Sequence, residues 1–394
     1  MKKRFLLLII LLAGLIIYQH DYIYQWGYRT FGCLKYDIPI IEIKTELNYL
    51  DSLIEDRENS IADGWITLGK KDFVPTRITV SERTIDAEYR LKGDYLHHIT
   101  SDKWSYRVQT NDSILGLQKF SLHHPIMRNN INEIFWQYIC HREGLIRLDY
   151  DIVQLKINND SFGLYAIEES FGKNFCSRKG LNGFVIRFKD KEYWRKKIHP
   201  MINSDFSFQN AEIDSYNTPV IRKDSSLWQD HEEIVEQLHK WVQGISPNSK
   251  IFNLNKFAKY FALADLCSGH HGLIWFNMRL YYNPKTKLLE PIAFDGDLYS
   301  TIKHPIIINS QMHLENKDFY STFFLDSSFI DIYHDELEKF SSETYFKAVI
   351  TDFQSTARKY QNILNLEFPR YKFSTDFIEK NAFIIQEYLR LNPE

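Results

Sequence analysis

The sequence predicts an α+β chain of two lobes: an antiparallel, sheet-rich front lobe with one long helix, and a mostly helical rear lobe. Three observations carry this prediction. Residues 76–122 alternate apolar and polar side chains at the period of half-buried strands. Residues 129–143 form a single strongly apolar helical stretch between strand-like segments. After residue 190 the spacing turns helical, at 228–243, at 255–267 and again from 332 onward. Two lobes of different texture place a cleft at their junction.

The chain opens with Lys2, Lys3 and Arg4 ahead of an apolar run from Phe5 to Tyr18. No small-x-small cleavage site follows, and Tyr18, Tyr22, Tyr24, Trp26 and Tyr28 suit an interfacial aromatic belt. Residues 1–28 therefore read as an uncleaved, single-pass membrane anchor. The N-terminus is then cytoplasmic and the main body extracytoplasmic; a cleaved signal is the alternative. Residues 29–74 read as a juxtamembrane helix and linker, with Ile41, Leu47, Leu50 and Ile54 at helical spacing.

The front lobe, 75–190, begins with paired strands around Ser81-Glu82-Arg83, carrying Ile78 and Val80 on one side and Ile85, Ala87, Tyr89 and Leu91 on the other. Trp104, Tyr106 and Val108 mark a third strand, and Phe120 and Leu122 a fourth. The helix at 129–143 presents Ile131, Ile134, Phe135, Tyr138 and Ile139 on one face and ends at Gly144. Tyr150 to Ile157 and Phe162 to Ile167 form a hairpin through Asn158-Asn159-Asp160, and Phe184 to Phe188 adds a strand. The rear lobe, 191–394, starts with a polar stretch at 200–226. It continues through two helices and a hairpin at 277–294, then irregular chain at 302–330 and helices at 332–350, 351–364 and 375–391.

The 394 residues are 44% hydrophobic and 15% aromatic, long and apolar enough for a substantial core. A net charge of −3 excludes nucleic-acid binding by bulk positive charge. Cys33, Cys140, Cys176 and Cys267 have no metal-ligand spacing and read as buried free thiols, with a disulfide outside the cytoplasm as the alternative. There is no G-x-S-x-G, H-E-x-x-H, Walker or dinucleotide motif, nor the H-R-D and D-F-G pair of ordinary protein kinases.

Three segments can carry chemistry. In Arg90-Leu-Lys-Gly-Asp-Tyr95 the missing side chain of Gly93 lets backbone N–H groups approach an anion. Lys103 and Arg107, four apart, share a face if both lie on one strand, and so can meet a polyphosphate; two solvated charges on an edge strand is the bland alternative. Gly163-Leu-Tyr-Ala-Ile-Glu-Glu169 runs from a strand toward a helical stretch at the lobe junction, where a hinge belongs. Glu133 on the long helix can pair with Lys103. In the third segment an apolar helix ends at Gly269-His-His-Gly272, Asn277 opens a strand, and the return strand reaches Asp295-Gly-Asp297. Two carboxylates beside an Asn amide can hold a hard divalent cation bridging phosphate oxygens; a solvated Asp-Gly-Asp turn is the ordinary reading. His97-His98, His123-His124 and His270-His271 are doublets without the i, i+4 spacing of helical metal ligands.

These segments, in this order over roughly 75–300, resemble the CotH family of spore-coat kinase-like proteins. The resemblance implies a two-lobed atypical kinase fold that binds ATP and Mg2+ and phosphorylates a protein. By position, Lys103 is then the phosphate-binding lysine, with Arg90, Gly93 and Arg107 beside it and Glu169 as the hinge acid. Asn277 and Asp295 become metal ligands, and Asp297 supports them. One departure stands out. The family carries an Asp shortly before the strand Asn, where this chain has His271, a possible proton acceptor in its neutral form. The expected partners are a membrane, a nucleotide and a protein or glycan acceptor. A catalytically inactive pseudokinase scaffold and an envelope polysaccharide-modifying enzyme are the competing readings.

Overall fold

The structure, a computed structural model, describes residues 36–66, 72–190, 192–194, 208–298, 300–308 and 319–392. The expected anchor and Cys33 lie outside the described residues. Among the described ones, no helix is long and apolar enough to cross a membrane.

The alternating front segment closes on itself. Its strands are β1 (Ile40–Lys44), β2 (Val74–Val80), β3 (Arg83–Leu91), β4 (Tyr106–Ile114) and β5 (Leu117–His123). After β6 (Ile146–Arg147), which belongs elsewhere, come β7 (Tyr150–Ile157) and β8 (Asp160–Glu169). Seven strands form a barrel in the order β1-β2-β3-β4-β5-β8-β7, with β1 lying parallel to β7 at the seam. Closure leaves no unpaired sheet edge. Ile78, Tyr89, Val108, Phe120, Leu155 and Tyr165 fill the interior. Both expected hairpins are present. Their central residues, Ser81-Glu82 (φ 47 and 68) and Asn158-Asn159 (φ 49 and 75), adopt the left-handed backbone that two-residue turns require.

One expectation fails at the barrel seam. Residues 40–44 are strand, not helix, and the helix α1 starts only at Leu47 (Leu47–Asp63). Ile41 and Ile43 alternate inward between β2 and β7 and are fully buried, so two-residue periodicity overrides the wider helical spacing. Trp104 likewise precedes β4 rather than lying in it.

Behind the barrel sits α2 (Ile131–Arg142), buried almost all round, with Glu133, Trp136 and Gln137 buried as well as the expected apolar face. It packs on a five-stranded sheet not anticipated as a unit. That sheet adds β9 (Phe184–Phe188), β10 (Ile213–Ser215), β11 (Leu280–Asn283) and β12 (Leu288–Ala293), in the order β10-β9-β11-β12-β6. The helices α3 (Ser225–Val242), α4 (Leu254–Cys267), α5 (Ser327–Ser341), α6 (Glu343–Leu364) and α7 (Asp376–Leu391) complete the rear body. The expected break near 350 falls instead at Ser342, whose side chain accepts from the Tyr345 amide and caps α6. Cys140, Cys176 and Cys267 are free thiols.

The sheet fixes one glycine. A Cβ at Gly183 would stand 1.8 Å from the Tyr282 carbonyl oxygen of the neighbouring strand. Gly183→Ala is expected to cost on the order of 3 kcal/mol in urea unfolding, because backbone rather than a pliable side chain must move. A loss below about 0.5 kcal/mol would show that β9 can shift away from β11 freely.

Candidate functional site

The site is built where β12 leaves the sheet. The chain turns twice through left-handed backbone, at Asp295 (φ 55) and Asp297 (φ 50), a conformation that Asp tolerates better than most residues. Gly296 between them is required by packing, since a Cβ there would meet the Trp136 ring at 2.8 Å. The two carboxylates consequently enter different surroundings. Asp295 is 6% exposed, with Arg128 Nη1 at 3.0 Å and His271 Nδ1 at 3.2 Å. Its Oδ1 makes these contacts as ion pairs by distance, without hydrogen-bond geometry to either. Asp297 is half-buried, and its Oδ1 accepts from Asn129 Nδ2 at 2.5 Å.

Arg128 is the middle of a relay between the two bodies. Lys92 Nζ, just past β3, lies 2.9 Å from Glu168 Oε2; Glu168 Oε1 lies 3.3 Å from Arg128 Nε; Arg128 then reaches Asp295. Burial alone would raise the Glu168 carboxyl, but Lys92 and Arg128 hold it well below the usual range. Burial lowers Lys92 to about 8 against the pull of Glu168. Burial also opposes the charge on Arg128, yet Asp295 and Glu168 raise its pKa.

The carboxylates of the turn are pushed apart. For Asp295 burial acts upward, and Arg128 and His271 overcome it, so its pKa is lowered. For Asp297 burial again acts upward, the Asp295 charge adds to it, and its pKa is raised. His271 is raised despite burial because it faces Asp295. The carboxylate beside it makes His271 a stronger base than the free imidazole that the sequence suggested as a proton acceptor. Asn277 precedes β11 instead of opening it, and donates through Nδ2 to the His271 carbonyl at 2.9 Å.

The other predicted residues are scattered around this centre. Gly93 (φ 128) is held by His98, whose ring would meet a Cβ at 2.4 Å. Arg107 donates to the Ser170 hydroxyl. Arg90 donates to the Leu91 carbonyl at 2.6 Å, stacks 5.2 Å over Phe73, and is lowered to about 10 by burial and by Arg107. Lys103 is not brought to Asp295. It pairs with Glu367 at 2.8 Å and donates to the carbonyls of Phe162 and Leu164. The shared-face argument failed because β4 begins only at Tyr106, so Lys103 and Arg107 do not lie on one strand. Glu133 bonds to Gln137 rather than Lys103.

Glu169 pairs with Arg178 and Lys179, while its neighbour Glu168 enters the relay. Parity explains the difference. Leu164 and Ala166 face the rear core and Tyr165 and Ile167 the barrel core, so Glu168 follows the rear-facing set. That alternation was readable in the sequence and would have found Glu168; Lys92, next to Gly93, was equally visible. Arg128 had no such signal.

One histidine of each doublet is held by a structural contact. His98 Nδ1 meets Ser105 Oγ at 2.9 Å, His124 Nδ1 accepts from the Ile126 amide at 3.0 Å, and His270 Nε2 meets Asp265 Oδ1 at 2.7 Å. Among the described residues, no group of three or more His, Cys, Asp or Glu gathers for a metal ion. A cavity of about 780 Å³ opens on the outer face of the barrel, lined by Lys44, Arg77, Asp86, Glu88, Lys119 and Lys173 among others, and shares no residue with the relay.

Comparison with known families finds that the model for CotH kinase protein matches residues 90–394, most of the chain. No curated protein matches it.

Glu133, 1% exposed beneath the relay, has one oxygen without a partner. Burial raises its carboxyl to about 8, against the opposing pull of Arg128 and Gln137. The folded state therefore keeps a proton that the unfolded state releases, and stability falls as pH rises from about 4.5 to about 8. Glu133→Gln is expected to remove that share of the loss, a few kcal/mol at most, in urea unfolding at pH 6 and pH 8.5. An unchanged pH slope would mean that Glu133 is already ionised in the fold.

Proposed function

The chain belongs to the CotH kinase family, and we propose that it binds Mg2+–ATP between barrel and rear body and transfers phosphate to a protein or envelope hydroxyl. The observation that carries this reading is the relay Lys92–Glu168–Arg128–Asp295, which brings front-body cations and a rear-body carboxylate to one place. The donor set fits a hard cation. Asp295 offers a buried oxygen without a hydrogen bond, and Asn277 an amide oxygen. With no full cage of acids among the described residues, phosphate and water oxygens would complete the coordination of such an ion. When bound, Mg2+–ATP supplies the phosphoryl group and part of its charge neutralisation.

The remaining chemistry belongs to the chain. Lys92 and Arg107 draw the polyphosphate, and Gly93 makes room for the His98 ring beside them. Asp297, with its raised pKa, is the better acceptor for a hydroxyl proton; His271 acts as a counter-charge to Asp295. Lys103 and Glu169 serve the architecture, through Glu367 and through Arg178 and Lys179. We place this body outside the cytoplasm on an N-terminal anchor, on the strength of Lys2, Lys3, Arg4 and the apolar run after them.

A second reading, a nucleotide-binding scaffold without transfer, is favoured by Arg128 and His271, which already contact Asp295 at 3.0 and 3.2 Å. The test uses the full chain. Saturating Mg2+–ATP is expected to stabilise the parent by roughly 2.7 kcal/mol at a hundredfold excess over Kd, and to leave Asp295→Ala unmoved. Equal stabilisation of parent and variant would take Asp295 out of the site. Labelled phosphate appearing on an acceptor, and disappearing in Asp297→Asn, would exclude the scaffold reading.

A further inference from the structure

A second group of cations lies one aromatic ring from the relay. The Phe294 ring has Arg128 on it at 5.9 Å and Arg279 at 4.8 Å. Arg279 also lies 6.0 Å from the Phe171 ring, which packs 4.9 Å from Tyr216. Arg187 Nη1 stands 3.4 Å from the Tyr216 hydroxyl, with its guanidinium 4.6 Å from the ring. Arg279 and Arg107 both act on the same hydroxyl electrostatically. Burial would raise the Tyr216 pKa, but Arg279, Arg187 and Arg107 together lower it, evidence of concentrated positive charge at that oxygen.

Few carboxylates answer this charge. Arg187 pairs with Asp214 at 3.0 Å. Arg107 and Arg279 have no ion pair among the described residues. Arg107 donates to the Ser170 hydroxyl, and Arg279 to the carbonyls of Phe276 at 2.7 Å and Met278 at 3.0 Å. The Arg279 Nε is buried without an acceptor. The other nearby acids are Glu168, which acts on Arg107 but is already paired with Lys92 and Arg128, Asp94, which acts on Arg107 and Arg279 from the rim, and Asp190, bonded to Trp194 Nε1 at 2.8 Å. Burying guanidinium donors without acceptors is costly unless something binds there.

We infer that Arg107, Arg187 and Arg279, gathered at the Tyr216 hydroxyl, form an oxyanion pocket that takes a phosphate group. Guanidinium forks match phosphate oxygens two at a time, and the aromatic rings hold them in place. As a phosphate site of the same cleft it deepens the nucleotide reading, on which its assignment to ATP rests. The pocket itself needs no metal. Its phosphate is either the polyphosphate of the nucleotide or the phosphoryl group of a modified acceptor.

Calorimetric titration of the full chain with pyrophosphate in EDTA tests it. The parent is expected to bind, and Arg279→Gln and Arg107→Gln to bind at least about tenfold more weakly. Ligand-free melts establish that the variants fold, and Arg279→Lys should recover part of the affinity. Metal-free ADP displacing pyrophosphate assigns the pocket to the nucleotide, and phosphoserine displacing it assigns the pocket to the acceptor. No binding by the folded parent, or undiminished binding by Arg279→Gln, overturns the pocket. Arginine-dependent pyrophosphate binding in a parent that ignores Mg2+–ATP would sink the nucleotide reading and leave the pocket standing.

Discussion

The guanidinium of Arg128 is the constraint on which the arrangement turns. It is buried between Glu168 of the barrel and Asp295 of the rear sheet, and Lys92 continues the line into β3. Buried charges are expensive to desolvate, and they persist only where each has a partner at close range. Two cations and two anions alternate here, so no member can be removed without stranding its neighbour. The relay also orients the two bodies, because Glu168 is carried by the barrel while Asp295 sits on a turn of the rear sheet.

Beneath that line, the rear body holds its turns with packing and with one buried acid. Trp136 fills the space under Gly296 and so decides that only glycine can separate Asp295 from Asp297. Asp265, fully buried in α4, accepts from Tyr333 Oη at 2.5 Å and the Ile306 amide at 2.9 Å, and meets His270. One histidine of the doublet is thereby pinned, which leaves its neighbour His271 beside Asp295. The pinning explains why adjacent histidines have different work: one closes the end of α4, the other balances a carboxylate.

Electrostatics sort the site into two halves. Around Asp295 the charges are nearly balanced by Lys92, Glu168, Arg128 and His271. Around Tyr216 the arginines outnumber their bonded carboxylates. A polyphosphate with a divalent ion has the complementary pattern, negative along most of its length and positive at the metal. Phe294 separates the halves by one ring, which keeps the arginines of the pocket from collapsing onto Asp295.

The sequence by itself determined the strands of the barrel from β2 to β8, both tight hairpins, the long helix and the Asp-Gly-Asp turn. All of these rest on local periodicity and turn chemistry, which neighbouring residues specify. It also singled out the segments that carry His271, Asn277 and Asp295, and it carried the family resemblance. Tertiary structure alone decided that Ile40–Lys44 closes the barrel, since β1 gains its register from β2 and β7, far along the chain. It alone turned Lys103 toward Glu367, chose Glu168 over Glu169, and brought in Arg128 from a segment without any recognisable pattern. Ion pairs across long sequence separations depend on which faces meet, and a face is defined only once the sheets have packed.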